Sequence, residues 1–244
     1  MKKTATLLGA FALSLLSFQS FSQVKLGLKA GANISTFGYD FKDSEEETLS
    51  NDITKNKIGY HVGLAAEFGF TDNLSLQSGL IWTNKGAKYD YSLSEDGVEM
   101  EIKGKTSLNY LEIPLNLTYK ISNFQIQAGP YVAYGIGGKE ELESKFTFMG
   151  ETDTDKDDAD VKFKNTVEES DFDEENTTFY RALDLGLNFG IGYMAGPVLL
   201  NANYSLGMSN LTPDFDGDDD DSADDSKIKN RVIGISATYF FGGK

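Results

Sequence analysis

From Val24 onward the chain is written in alternations. In VKLGLKAGANIST, Val24, Leu26, Leu28, Ala30, Ala32 and Ile34 share one parity, and Lys25, Gly27, Lys29, Gly31, Asn33 and Ser35 share the other. A period of two is the mark of a strand with one apolar face. YHVGLAAEFGF repeats it, with Tyr60, Val62, Leu64, Ala66, Phe68 and Phe70 set against His61, Gly63, Ala65, Glu67 and Gly69. Further segments begin at LSLQSGLIWTNK, YLEIPLNLTYKI, FQIQAGPYVAYGIG, LDLGLNFGIGY, VLLNANYSLGM and RVIGISATYFF, eight in all. No stretch after Gln23 carries a convincing helical period. These segments are about twice the usual strand length, and about ten tilted residues suffice to cross a bilayer.

The connections divide into two kinds. TDN, SN and AGP are tight hairpin turns, whereas residues 39–56, 93–105, 140–177 and 211–228 read as long loops. Short and long alternate strictly, as they must when one end of an up-and-down barrel carries turns and the other loops. Charge follows the same division. Residues 40–56, 90–105, 140–178 and 212–228 hold 6, 5, 15 and 8 of the 38 acidic residues, leaving only Glu67, Asp72, Glu112 and Asp184 elsewhere. The run PDFDGDDDDSADDSK at 213–227 therefore reads as part of a solvated cap at one end of the barrel.

Alternation alone does not separate a membrane barrel from a soluble lipocalin-like one, whose apolar face points inward. The polar parity here is rich in Gly, Ser, Asn, Thr and Gln, groups small enough for the crowded lumen of an eight-stranded barrel. The apolar parity places aromatics near the strand ends, among them Tyr60, Phe68, Phe70, Trp82, Tyr119, Phe124, Tyr193, Tyr239 and Phe241, in the manner of two interfacial girdles. The expected fold is an all-β, eight-stranded antiparallel up-and-down transmembrane barrel. It has short periplasmic turns, long acidic extracellular loops and, by parity, both termini in the periplasm.

Targeting points the same way. MKK is followed by the apolar stretch TATLLGAFALSLLSF and then QSFSQ, the pattern of a signal peptide cleaved after Ser22. The expected division is residues 1–22 as a removed signal peptide and 23–244 as the outer-membrane domain. The net charge of −16 argues against a nucleic-acid partner, and the absence of cysteine excludes disulfide and thiol chemistry.

The segments LGLKAGANIST, GYHVGLAAEFGFTDNLSLQSGLIWTNKG, YLEIPLNLTYKI, QAGPYVAYGIGGK and NRVIGISATYFFGGK resemble the PorT-like outer-membrane β-barrel proteins of Bacteroidetes across essentially the whole mature chain. The pattern rests on Leu111-Glu112-Ile113-Pro114-Leu115 and Gly129-Pro130-Tyr131. It departs from many barrels in ending Gly-Gly-Lys after Phe241. The resemblance implies a porin-like eight-stranded barrel in the cell outer membrane, without naming a solute or protein partner.

Few residues bear chemistry. Glu67, Glu112 and Asp184 share the lumen parity with Lys25, Lys29, Lys85 and Lys120, a charge network that either fills the barrel by pairing or gates it. His61 is the only histidine, and no nucleophile pattern, phosphate loop or zinc spacing accompanies it, so no catalytic residue and no cofactor are expected. Asp214, Asp216, Asp218 and Asp220 supply oxygens at alternate positions, but without the glycine and closing glutamate of a calcium loop. Loose Ca²⁺ or Mg²⁺ association is the expectation there. The chain thus reads as a monomeric, non-enzymatic structural or interaction barrel displaying acidic loops, with a small-solute channel or secretion-associated barrel as the alternative. Its expected partners are outer-membrane lipid, lipopolysaccharide and, during insertion, the barrel-assembly machinery.

Overall fold

The computed structural model describes residues 24–41, 53–95, 98–216 and 226–241. The expected signal peptide and mature start near Gln23 lie outside them, as do Asp218 and Asp220. In chain order the strands are β1 (Val24–Phe41), β2 (Thr54–Lys55), β3 (Lys57–Gly69), β4 (Leu74–Glu95), β5 (Val98–Ile121), β6 (Phe124–Phe148), β7 (Glu151–Phe163), β8 (Thr166–Val167), β9 (Thr177–Tyr180), β10 (Leu183–Ala195), β11 (Val198–Gly207), β12 (Asp214–Phe215) and β13 (Ser226–Phe241). Among the described residues a 3₁₀ turn at Glu169–Asp173 interrupts them.

Antiparallel pairing runs β1–β3–β4–β5–β6–β10–β11–β13, and β13 pairs with β1 again, so the ladder returns to its start. The fold is all-β, antiparallel and barrel-like, and closing the cycle leaves no open edge within the wall. These strands contain the eight alternating segments read from the sequence. The remaining five strands all lie outside those segments.

The wall keeps the predicted parity. Leu64, Ile126, Ile191 and Ile235 are 55–67% exposed, while Gln125, Gln127, Asn188 and Ser236, on the opposite parity, are buried. Tyr60 packs edge-on against Trp82 toward the long-connection end. Phe124 against Tyr193 and Tyr239 against Phe241 do the same at the turn end. From Phe124 to Tyr134 on β6 the apolar face rises about 33 Å along the strand, or about 25 Å across a wall tilted by about 40°. An unbroken apolar surface of that height has no use in water and matches the hydrocarbon core of a bilayer.

Beyond the aromatic belt the structure corrects the sequence reading. Residues 93–105 and 140–163 are not loops: β4 and β5 continue to a hairpin pairing Glu95 with Val98, and β6 with β7 to one pairing Phe148 with Glu151. The ladder itself satisfies the backbone there, so a segment as acidic as ETDTDKDDADVKF is held extended despite the poor strand propensity of aspartate. The chain then doubles back. β9 pairs parallel to β7 over Asp160–Phe163, and β12 pairs parallel to β8. Asp214 is consequently no part of a freely extended run: its backbone amide donates to the Asn165 carbonyl at 2.9 Å.

Candidate functional site

The lumen holds two charge clusters at different heights. Near the turn end, Glu67 from β3 receives Lys120 from β5 at 2.5 Å and lies 3.9 Å from Lys25 of β1. Gln77 completes its shell with an amide donated at 2.9 Å. Toward the other end, Lys85 from β4 stands 2.8 Å from Glu112 of β5 and 3.0 Å from Asp184 of β10. Asp184 also accepts from the Asn230 amide at 2.8 Å and the Tyr131 hydroxyl at 3.1 Å. The Tyr131 and Tyr110 rings cover the ammonium at 4.4 and 5.3 Å from their centroids. Lys85 and Asp184 are almost fully buried, so each charge depends on its partners for the solvation it has lost.

Between the clusters lies the fourth lysine of that parity. Lys29 lines two small cavities of about 30 and 20 Å³, each with room for about a water molecule. His61 faces the first of these. Its Nδ1 is 2.8 Å from the Asn33 Oδ1, and the Asn33 amide donates in turn to Thr83 at 2.9 Å. No carboxylate or nucleophile orients the ring within this set. Around it Asn116, Thr118, Gln127, Asn201 and Ser236 carry buried polar atoms without a protein partner, which suits a lumen holding scattered single waters.

Above the Lys85 cluster the lumen turns apolar. Phe37, Ala87, Leu108, Tyr110, Tyr131 and Ala133 face inward from the wall, and Val161, Tyr180 and Leu211 descend onto them from outside it. Phe163 joins this lid by seating its ring where Gly135 has no side chain; a Cβ there would lie 2.3 Å from the ring. The lid is pinned by backbone bonds from Gly135 to Ala182, Arg181 to Leu211 and Leu211 to Ile228, at 2.7 to 2.9 Å. Arg181 pairs with Asp214 and Lys164 with Asp171, and the Tyr180 hydroxyl donates to Glu140 at 2.7 Å. The mouth of the barrel is therefore closed by packed side chains.

Every lysine and carboxylate read onto the lumen parity faces inward, but in two groups with Lys29 between them. Tyr131, Tyr110, Asn230 and Lys57 join these lumen groups only in the structure. Tyr131 shares the parity of Gln127 and Gly129, and Lys57 that of Gly59 and His61, so extending the alternation finds both. Lys57 donates to the Asn84 side chain. Of the acidic run, the Asp214 carboxylate faces Arg181 and Asp216 is exposed. Among the described residues no three metal-ligating side chains gather.

The projecting hairpin carries its own lattice of ion pairs. Glu143 accepts from Lys156 at 2.8 Å and Lys145 at 3.0 Å, which push its carboxyl down to about 2. Lys145 also reaches Glu101 on β5 at 3.6 Å.

The profile of the outer membrane protein β-barrel domain family matches residues 17–212 of the chain. No curated protein matches it. Among solved structures it is similar to Ail, the attachment invasion locus protein of Yersinia pestis, in complex with the heparin analogue sucrose octasulfate. That likeness is at 15% identity and a TM-score of 0.35, covering 90% of this chain and 99% of that one. OprG from Pseudomonas aeruginosa gives 14% and 0.36 over 91% and 97%. CarO2 of Acinetobacter baumannii gives 10% and 0.36 over 89% and 99%.

Proposed function

The chain belongs to the outer membrane protein β-barrel domain family, and on that premise we propose that it is a closed, non-enzymatic outer-membrane barrel that presents a charged hairpin to the outside. Its eight wall strands cross the membrane, its turns and both termini face the periplasm, and the leader up to Ser22 is removed on export. The finer likeness to PorT-like barrels rests on the pattern at Leu111–Leu115 and Gly129–Tyr131.

One observation carries the reading. The lumen is filled by paired charges and roofed by Tyr110, Tyr131, Tyr180 and Leu211, leaving cavities of about 30 and 20 Å³. That space admits a water molecule but no solute, which disfavours a channel; His61, paired with Asn33 and not with a carboxylate, gives little support to an enzyme. What the protein offers to a partner is the sheet that projects past the belt, whose acidic residues run from Glu140 to Asp160. Any cation held by Asp214, Asp216, Asp218 and Asp220 is loose and exchangeable.

The test is placement. Cells expressing Asp155→Cys in the hairpin, or Asn73→Cys in a turn, are treated with a thiol reagent that cannot cross the outer membrane, and the outer-membrane fraction is analysed. Labelling at residue 155 and protection at residue 73 is the expected result. Labelling at 73 alone, or recovery of the protein in the soluble periplasmic fraction, would overturn the reading.

A further inference from the structure

Past the mouth of the barrel, the sheet of β4, β5, β6 and β7 has two unlike faces. One carries the lattice of ion pairs: Lys105 with Glu141, Lys145 with Glu101 and Glu143, and Glu143 with Lys156. On the other face the register sets Leu93 opposite Met100, Met100 opposite Phe146 and Gly104 opposite Leu142, with Ile102 between and Phe148 at the end. Leu93, Leu142, Phe146 and Phe148 are 44–49% exposed, so they lack the second layer against which an apolar sheet face ordinarily packs. On β5 this face continues the inward parity of the buried Leu108 and Thr106, so it extends the inner wall and turns away from the surrounding lipid. A contiguous apolar face with a polar border is the usual mark of an interaction site.

The border names the occupant. Glu151, Asp153, Asp155 and Asp157 of β7 stand on the same face, opposite Phe148, Phe146, Ser144 and Leu142. All four are exposed, and none makes an ion pair among the described residues. Lys156, the one cation in that run, turns to the other face to meet Glu143. A second copy would bring the same acids and a net charge of −16, crowding like charges together. A basic partner relieves them. From Val98 to Gly104 the apolar face runs about 20 Å along β5 and, over three strands, about 15 Å across. Three to four turns of one α-helix, about 10 Å in diameter, cover it. Basic residues at every fourth position recur about every 6 Å along such a helix, against about 6.8 Å between alternate residues of β7, so one flank keeps step with the four acids. We propose that this face docks an amphipathic helix with a basic flank, carried by a partner protein, a role that rests on the hairpin being presented as proposed.

The test uses the full chain in nanodiscs of zwitterionic lipid, with empty discs as the reference. The probe is a synthetic helical peptide of about 15 residues, leucine along one face and lysine at every fourth position of its flank. A second peptide replaces its leucines by serine. Calorimetry compares the parent with Phe146→Ser/Phe148→Ser on the apolar face and with Asp153→Asn/Asp155→Asn/Asp157→Asn on the border. A control, Asp90→Asn/Glu99→Gln/Asp158→Asn, loses the same charge from the opposite face. The parent should bind the leucine peptide and lose affinity as salt rises, because exposed charges are screened. The face and border variants should each bind about tenfold or more weaker, and the control within about threefold of the parent. The serine peptide should not bind. Equal binding by the parent and the face variant, an equal fall in the control, or equal binding of the serine peptide overturns the proposal. Light scattering that shows dimers of the parent, lost in the face variant, assigns the face to a second copy and overturns it too. Purified protein binds irrespective of which way the hairpin faces in cells, so a failure here is distinct from a failure of the labelling at residue 155. Heat-dependent gel mobility establishes that each variant is folded, and Leu93→Ser/Leu142→Ser, expected to weaken binding equally, serves if the first face variant is not.

Discussion

Replacing Lys85 by methionine tests whether the sealed ionic cluster holds the wall together. The change keeps the length and most of the volume of the side chain but removes the one cation between Glu112 and Asp184, at 2.8 and 3.0 Å. Asp184 would keep the Asn230 and Tyr131 donors. Asp184 would nevertheless stay buried beneath Tyr110 and Tyr131 with no counter-ion, and Glu112 would keep only Lys29, which lines the same cavity. Breaking a buried ion pair by removing one partner costs about 3–5 kcal/mol, most of it the penalty of the charge left behind. The triple change Lys85→Met/Glu112→Gln/Asp184→Asn removes all three charges and leaves amides able to hydrogen-bond. It should recover most of that loss and lie within about 1–2 kcal/mol of the parent. Equilibrium urea unfolding in phospholipid vesicles measures both, with Trp82, the only tryptophan, reporting from the lipid face. If the single change costs less than about 1 kcal/mol, or if the triple change is no better than the single, the charges are not mutually dependent and the reasoning fails.

Three further outcomes follow from the same geometry. Leu115→Arg, on the exposed face, should destabilise the folded protein by about 2–4 kcal/mol in the vesicle assay if it lies near the midplane, whereas Gly129→Ala should fail sterically, since a Cβ there would sit 2.0 Å from the Leu115 carbonyl oxygen. Gly135→Leu should displace Phe163 from its seat and expose residues 164–176 to protease while the heat-dependent gel mobility of the wall stays unchanged. Because Lys156 and Lys145 hold the Glu143 carboxyl down at about 2, the support it gives the hairpin should be complete above about pH 4.5 and lost as pH falls through about 2. A carboxyl-carbon NMR titration of Glu143 checks this, and a midpoint at or above 4.5 contradicts it.

The wall was legible because it is repetitive. Each strand must show apolar groups to one side and small polar groups to the other, so Leu26, Leu64 and Ile235 declare their face through their immediate neighbours alone. The parity also carried Glu67, Lys85, Glu112 and Asp184 inward without any knowledge of their partners. What it did not carry was height: which charges meet depends on how the strands are staggered around the cycle, a long-range quantity that places Lys120 with Glu67 and Lys85 with Asp184. The lid was hidden for a related reason. Val161, Phe163, Tyr180 and Leu211 are isolated among acids and polar residues, so no local period marks them, and they form a core only once the chain doubles back over the mouth. The hairpin of β6 and β7 is hidden because its acidic residues set up no apolar parity and so read as one of the long charged connections. Its stability comes from the ladder and from cross-strand pairs such as Glu143 with Lys156. Consequently a deletion meant to test the acidic run should begin beyond Asp216, since Asp214 and Phe215 pair with β8 and Arg181.

The central claim is that this barrel is closed, and single-channel recording in planar bilayers tests it most directly. The purified, folded protein is expected to give no stepwise current in either polarity, because the lid over the Lys85 cluster and the side chains beneath it leave no continuous aqueous path. Reproducible conductance steps from the unaltered protein would contradict the account and return the molecule to the channels.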